Sequence, residues 1–326
     1  MKAIAKAPGK AILTGEHFVV YDQPALVMAI DRFISVTVAK RPDTSIRISS
    51  TLGYTGTFEG EKFHSEQGGG AAQRILTPVH ISASAVLNAV NHRCGLNINV
   101  DSEIPVEVGL GSSGALAVAT VSAVGRLFDI AFSEPEVVNL SLEAERYVHN
   151  NPSGVDQTVS TYGGVIQYRK NQSAIRLEVE SPLSLVIGNT GVRRETGRLV
   201  DSVRARRTRI PDVMDRVIRS AGVLTTKAVD ALKSGNVSLL GELMDVNHGL
   251  LVAAGVSSIE LDRLVHAARS GGALGAKLTG AGGGGCVLAL VPDERQDTVS
   301  RAIQDADGVP IKVNKVEGGV HSWINE

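Results

Sequence analysis

The sequence predicts a mixed protein of the α+β class, folded in two lobes. Three observations lead there. The chain has 326 residues, about twice the length of an ordinary domain. Its first half mixes short β-type runs with apolar helical ones, and after about Ser181 a charged, helix-patterned stretch takes over. Two further β-type runs then flank a dense glycine cluster, Gly280 to Gly285. The change of texture places a boundary within 170–182, dividing an N-terminal lobe, 1–178, from a helix-rich C-terminal lobe, 179–326.

Taken in order, Phe33 to Lys40 is rich in β-branched residues with period-two alternation, and Ile46 to Ser49 repeats that pattern. Gly53 to Gly70 is polar and reads as a loop or hairpin. Ala71 to Asn91 carries apolar residues at helical spacing, and Leu96 to Val100 alternates as a strand. Ala115 to Phe128 is an apolar, small-residue helix. Ser133 with Glu136 forms a capping box, and Pro135 sits in the first turn of a helix ending near Asn150. Gly164 to Arg169 and Leu183 to Gly188 read as strands. Helices follow near 198–209, 212–234, 237–253 and 259–270, then strands at Ala276 to Leu278 and Val287 to Val291, and a helix opened by Pro292 and Asp293.

Composition excludes several functions. Thirty-three basic side chains against 34 acidic ones leave a net charge of −1, so no global field exists to hold a polyanion. Aromatic residues are only 4%, too few for the ring platforms of single-strand binding. Nucleic acid is therefore not an expected partner. Cys94 and Cys286 are the only cysteines and lie in no metal-ligand spacing, which excludes a disulfide framework and suits a reducing compartment. Met1 to Leu13 lacks the apolar core of a signal peptide. The uncharged run Val108 to Gly125 holds four glycines and three serines, which fits a buried helix behind a loop better than a membrane span. The expectation is a soluble cytoplasmic protein with no membrane partner.

Glycine is 35 of 326 residues, about 11% against a usual 7% or so, and its clusters carry the chemistry. Pro105-Val-Glu-Val-Gly-Leu-Gly-Ser-Ser-Gly-Ala115 follows a strand and opens a helix, so backbone N–H groups and the helix dipole converge where glycines permit close approach. That arrangement suits phosphate, and a glycine-rich turn with no ligand is the alternative on local pattern alone. Gly109, Gly111 and Gly114 also match G-x-G-x-x-G, but two successive helices follow where a dinucleotide fold needs a strand. Walker A, H-E-x-x-H and G-x-S-x-G motifs are absent from the sequence. Lys277-Leu-Thr-Gly-Ala-Gly-Gly-Gly-Gly-Cys286 fits a flexible hairpin as well as a ligand wall. Lys10, Glu16 and His17 fit a polar pocket or a solvated strand end. Glu145 fits a surface helix, and Asp156 a helix cap.

In order along the chain, the segments PGK at 8–10, PxxxGLGSS at 105–113 and KLTGAGGGGC at 277–286 resemble the three signatures of the GHMP kinase superfamily. Within it the likeness is greatest to the mevalonate kinase family, in Ala7 to Tyr21 (APGKAILTGEHFVVY), Asn151 to Gly164 (NPSGVDQTVSTYGG), Asn189 to Val200 and Met244 to Leu261. Two positions depart from its pattern: Gly114, where alanine is usual and which slightly loosens the first helical turn, and the variable Gln157.

The resemblance implies a two-lobed GHMP kinase fold with the active site in the cleft between the lobes. It implies ATP over Pro105, Val108, Gly109, Leu110, Gly111, Ser112, Ser113, Gly114 and Ala115, and Mg²⁺ on Ser113 and Glu145. Asp156 takes the role of catalytic base with Lys10 beside it, and both contact the acceptor. Glu16, His17, Gly282 and Gly283 would line the acceptor side and Thr196 the phosphate side of the substrate, with Arg194 assigned to a carboxylate on charge complementarity. The implied acceptor is mevalonate, phosphorylated on its primary alcohol in an early step of isoprenoid precursor synthesis, and a homodimer is compatible. Another GHMP small-molecule kinase, or a silent ligand sensor, is the alternative. His149 and His248 are read as structural and Cys286 as a packed small residue.

Overall fold

A computed structural model describes all residues except 106–108, 149–152, 171, 193–195 and 326. The long first strand, β1 (Lys2–Thr14), pairs antiparallel with β2 (Ala25–Arg41). The lysines of β1 point to one side while Ala3, Ala5, Ala7, Ala11 and Leu13 are fully buried. The sequence reading missed β1 because Pro8 and Gly9 interrupt it, and the register does shift between them. Pro8 is tolerated at such an irregularity because no ladder N–H is required there.

The N-terminal sheet continues through β3 (Ile46–Ser50), β4 (Tyr54–Glu59), β5 (Lys62–Gln67) and β6 (Gly95–Ser102), in the order β1-β2-β6-β3-β4-β5. The polar stretch 53–70 is thus a hairpin. Helix α1 (Gly69–Ala89) packs on α2 (Ser112–Leu127) and α3 (Glu134–Val148). The expected capping box forms: the Ser133 N–H donates to Glu136 Oε2 at 2.7 Å. The expected buried helix is α2, which lies against β1 and β2. A short helix, α4 (Val155–Tyr162), precedes β7 (Val165–Tyr168) and β8 (Ile175–Leu177), which extend β2.

The second sheet holds β9 (Ser184–Asn189), β10 (Gly275–Thr279), β11 (Cys286–Val291) and β12 (Val309–Asn314), in the order β10-β11-β9-β12. Between β9 and β10 run α5 (Thr196–Arg209), α6 (Pro211–Lys233), α7 (Val237–Ala254) and α8 (Ile259–Ser270), and α9 (Gln296–Asp305) follows β11. Helix α7 is long and apolar enough to cross a membrane by length and composition, yet Leu240, Met244, Asn247 and Leu251 on it are wholly buried in the protein.

The two sheets divide near residue 180, with one exception. The last strand, β13 (His321–Asn325), returns to pair with β1 of the first sheet. One apolar core also crosses the division, joining Leu13 and Met28 to Leu185, Met244 and Leu288. The lobes are packed as one body around the ends of β1 and β10.

Candidate active site

The site forms where β1, α2 and α4 meet. Gly111, at φ 76°, turns the chain into α2, so the half-buried Ser112 and Ser113 open that helix. The first N–H groups of a helix lack internal partners, and the helix dipole adds positive potential there. The loop is tied to β1: Lys10 N–H donates to Leu110 O at 2.9 Å. A Cβ on Gly111 would stand 2.6 Å from Lys10 Cγ. Glycine is therefore what lets the lysine stem run directly beneath the loop.

Lys10 is buried at 4% exposure, and its Nζ lies 3.1 Å from Asp156 Oδ1. Asp156 stands in the first turn of α4, entered through Gly154 at φ 83°. The lysine ammonium and the N-terminus of α4 both place positive charge beside this carboxylate. Asp156 is thus not the helix cap that its local sequence also fits. Ser160, one turn further, donates to Pro8 O at 2.7 Å and pins α4 to β1.

Gly114 serves packing rather than looseness. A Cβ there would lie 2.7 Å from Asp156 Cβ and 2.8 Å from its carbonyl carbon. The missing methyl is the space in which α4 docks on α2, and this corrects the sequence expectation of a loosened turn. Ser113 is consequently adjacent to the residue that packs on Asp156.

Glu145, late in α3, is 6% exposed, with Oε2 buried and lacking a hydrogen-bond partner among the described residues. Burial first, and then the nearby Asp156 charge, push its carboxyl up to about 8, with Lys10 opposing. Two carboxyls thus share one ammonium. A hard divalent cation suits that imbalance, and a hydroxyl, a carboxylate and phosphate oxygens are the ligands Mg²⁺ prefers. Among the described residues no group of three or more His, Cys, Asp or Glu side chains gathers as a metal cage. The donors present therefore fit an ion carried largely by phosphate.

Facing this cluster is the loop between β10 and β11. Gly280, Gly282, Gly283, Gly284 and Gly285 all have φ between 66° and 137°. Gly282 and Gly283 leave no room for a side chain: a Cβ would meet Val256 O at 2.0 Å and Leu199 Cδ1 at 2.8 Å. This is a shaped wall and not a slack hairpin. His17, itself at φ 60°, sets Nε2 2.8 Å from Ala281 O across the cleft. Glu16 is 2% exposed, with Oε1 paired to Lys277 Nζ and Oε2 accepting from Asn247 Nδ2 at 3.2 Å.

The structure therefore brings together Lys10, Asp156, Glu145, Ser112, Ser113 and the Gly109–Ala115 loop, with Pro105 leading into it, and brings His17 to the glycine wall. Val108 and Arg194 lie outside the described residues, as does His149. Thr196 begins α5, and its side chain is not among those described. Sequence reasoning missed Lys277 and Asn247. A lysine inside an otherwise apolar strand was the available signal.

His248 is structural, as expected. Leu278 N–H donates to its Nδ1 at 3.3 Å, so Nε2 carries the hydrogen toward Asp262 Oδ1 at 3.2 Å. Burial pulls its ring down to about 4. Cys286 is fully buried in the core.

A glycine-rich loop opening a helix, a lysine–aspartate pair beneath it and a second glycine segment in the other lobe fit a small-molecule kinase. Family models agree: "GHMP kinases N terminal domain" matches residues 79–164, and "GHMP kinases C terminal" matches 228–308. The chain belongs to the GHMP kinase family, and it is an enzyme that transfers phosphoryl from ATP to an alcohol. It is 41% identical to the mevalonate kinase of Thermococcus sibiricus over 320 residues, 95% of each chain. It is 40% identical to that of Pyrococcus abyssi over 317 residues, 94% of each. Its fold matches the crystal structure of L. major mevalonate kinase in complex with R-mevalonate, with a TM-score of 0.82, 26% identity and 96% of each chain covered.

Proposed function

We propose that this protein transfers the γ-phosphoryl group of Mg·ATP to the 5-hydroxyl of mevalonate, giving 5-phosphomevalonate, in the cytoplasm. The observation that carries the chemistry is the Lys10–Asp156 pair, 3.1 Å apart at the mouth of α2. The acceptor is inferred from the chain-long likeness to mevalonate kinases. A chain with only two cysteines, Cys94 and the fully buried Cys286, suits a reducing compartment.

Asp156 accepts the proton of the acceptor hydroxyl as that oxygen bonds to the γ-phosphorus and the bond to ADP breaks. Lys10 holds the Asp156 carboxylate in place at 3.1 Å and balances negative charge as it moves onto the transferring group. The backbone N–H groups of the Gly109–Ala115 loop receive phosphate oxygens. Ser113 and Glu145 would hold Mg²⁺, whose chemistry is neutralisation of phosphate charge. His17 faces the acceptor from the glycine wall, with Gly282 and Gly283 shaping that wall. Arg194 and Thr196 are proposed on the acceptor carboxylate and the phosphate side, respectively.

The test is a coupled ADP-release assay with Mg·ATP and a panel of mevalonate, phosphomevalonate, homoserine and galactose. Turnover on mevalonate alone, with 5-phosphomevalonate identified and Asp156→Ala inactive, is the expected result. Turnover only on another acceptor would move the substrate assignment and leave the ATP half in place.

A further inference from the structure

Glu16 cannot meet a substrate hydroxyl while it is engaged as observed. Its side chain is 1% exposed, and both carboxylate oxygens are taken by groups from the other lobe. Lys277 is itself 0% exposed, and its Nζ also donates to Ile12 O at 3.1 Å. The partners come from β10, α7 and the end of β1, more than 200 residues apart in sequence for each cross-lobe contact. Three further buried oxygens, Thr14 Oγ1, Asn247 Oδ1 and Thr279 Oγ1, have no hydrogen-bond partner among the described residues. The junction of the lobes is thus polar where an apolar contact would serve adhesion equally well.

A buried ion pair adds little net stability over apolar packing, because desolvation offsets most of the attraction. What it does impose is register, since only one placement satisfies both charges. Here the register matters to two neighbours. His17 follows Glu16 directly and reaches Ala281 O, and Lys277 leads through Leu278 and Thr279 into the glycine wall. The wall's far side is already tied, with Gly283 N–H donating to Val256 O at 2.8 Å and Gly285 N–H to Val192 O at 3.0 Å. Its near side continues directly from β10, the strand that carries Lys277.

We infer that Lys277 and Asn247 act through the Glu16 carboxylate as positioning residues, clasping the lobes so that His17 and the glycine wall are held against the acceptor. Glu16 belongs to the clasp and not to the acceptor contacts. The inference rests on the proposed kinase reading for its kinetic consequence, though not for its geometry. The phosphate loop is tied to β1 further back, at Lys10, so disturbance of the clasp falls on the acceptor side.

The experiment compares wild type with Lys277→Met, Glu16→Gln, the double variant and the milder Asn247→Ala. Melting temperature, both KM values, kcat and the His17 imidazole resonances are measured. Each single change at the ion pair should lower the melting temperature by leaving one buried charge alone, and the double variant should regain most of it. The KM for the acceptor should nevertheless stay about tenfold or more above wild type in the double variant, with the KM for Mg·ATP within about twofold. The His17 resonances should shift in all four variants. Recovery of the acceptor KM along with stability, or equal rises in both KM values, would overturn the inference. Should wild type be silent on mevalonate, the substrate assignment fails on its own. Unmoved His17 resonances would then still reject the clasp.

Discussion

Asp156 owes its chemistry to one ammonium and one missing methyl. Lys10 supplies the charge, and Gly114 supplies the space that brings α4 onto α2. Asp156→Asn keeps the shape, removes the proton acceptor and leaves the buried Lys10 ammonium without that partner, so kcat should fall by about 10²–10⁴-fold and the melting temperature should fall with it. Single-turnover kinetics beside a thermal melt checks both halves of that statement. Glu145 carries a pH prediction. Its carboxyl is raised from 4.5 to about 8, so without a cation it holds its proton across the neutral range. Binding a divalent cation must expel that proton, and the KM for Mg·ATP should therefore fall as pH rises from about 6 to 8. In Glu145→Gln, titration of KM over the same range should show a weaker metal dependence and no such slope. Glu145 and Asp156 were nameable in the sequence only through resemblance, because locally each reads as well as a surface or capping acid.

Among the elements, the entry to α2 and the α7–β10 junction carry the most specific expectations. Gly111→Ala forces an L side chain to φ 76° and against the Lys10 stem. It should cost about 1–2 kcal/mol from the left-handed backbone alone, and also lower kcat by displacing the lysine. Chemical denaturation and steady-state rates separate the two effects. His248 bridges α7, α8 and β10 in its neutral form, with its ring lowered from 6.5 to about 4. The unfolded chain then binds more protons than the folded one between those values, so this residue's contribution to stability is lost as pH falls through that window. Melting curves should show His248→Gln with a smaller loss between pH 6.5 and 4 than wild type. Most elements were legible from periodicity and caps, α3 from its Ser133–Glu136 box among them. Strands β1, β8, β12 and β13 and helix α4 were not, since bulges, exposed edges and short lengths weaken the local pattern.

For the molecule as a whole, the return of β13 to β1 means the chain's last strand closes the first sheet's edge. It brings stacked His321 and Trp323 rings onto that edge, 5.2 Å apart. Removing residues from His321 onward should leave the long β1 edge unpaired, lower the melting temperature and promote association through that edge. Light scattering on heating would register the change. The shared core that joins Leu13 to Leu185 and Leu288 makes the two lobes one cooperative structure. The loss should therefore appear as a shift of a single transition rather than as early melting of one lobe.

The helical and β-type periods, the change of texture and the near-neutral charge balance are local properties, and they sufficed for a two-lobed α+β chain with a glycine loop at the start of a helix; the order of the three signatures marked a kinase through resemblance. The burial of Glu16, the role of Lys277 and the contact of Gly114 with Asp156 needed the folded chain. Each depends on residues brought together from distant parts of the sequence, and whether a carboxylate meets solvent, substrate or a buried ammonium is decided by what packs across it.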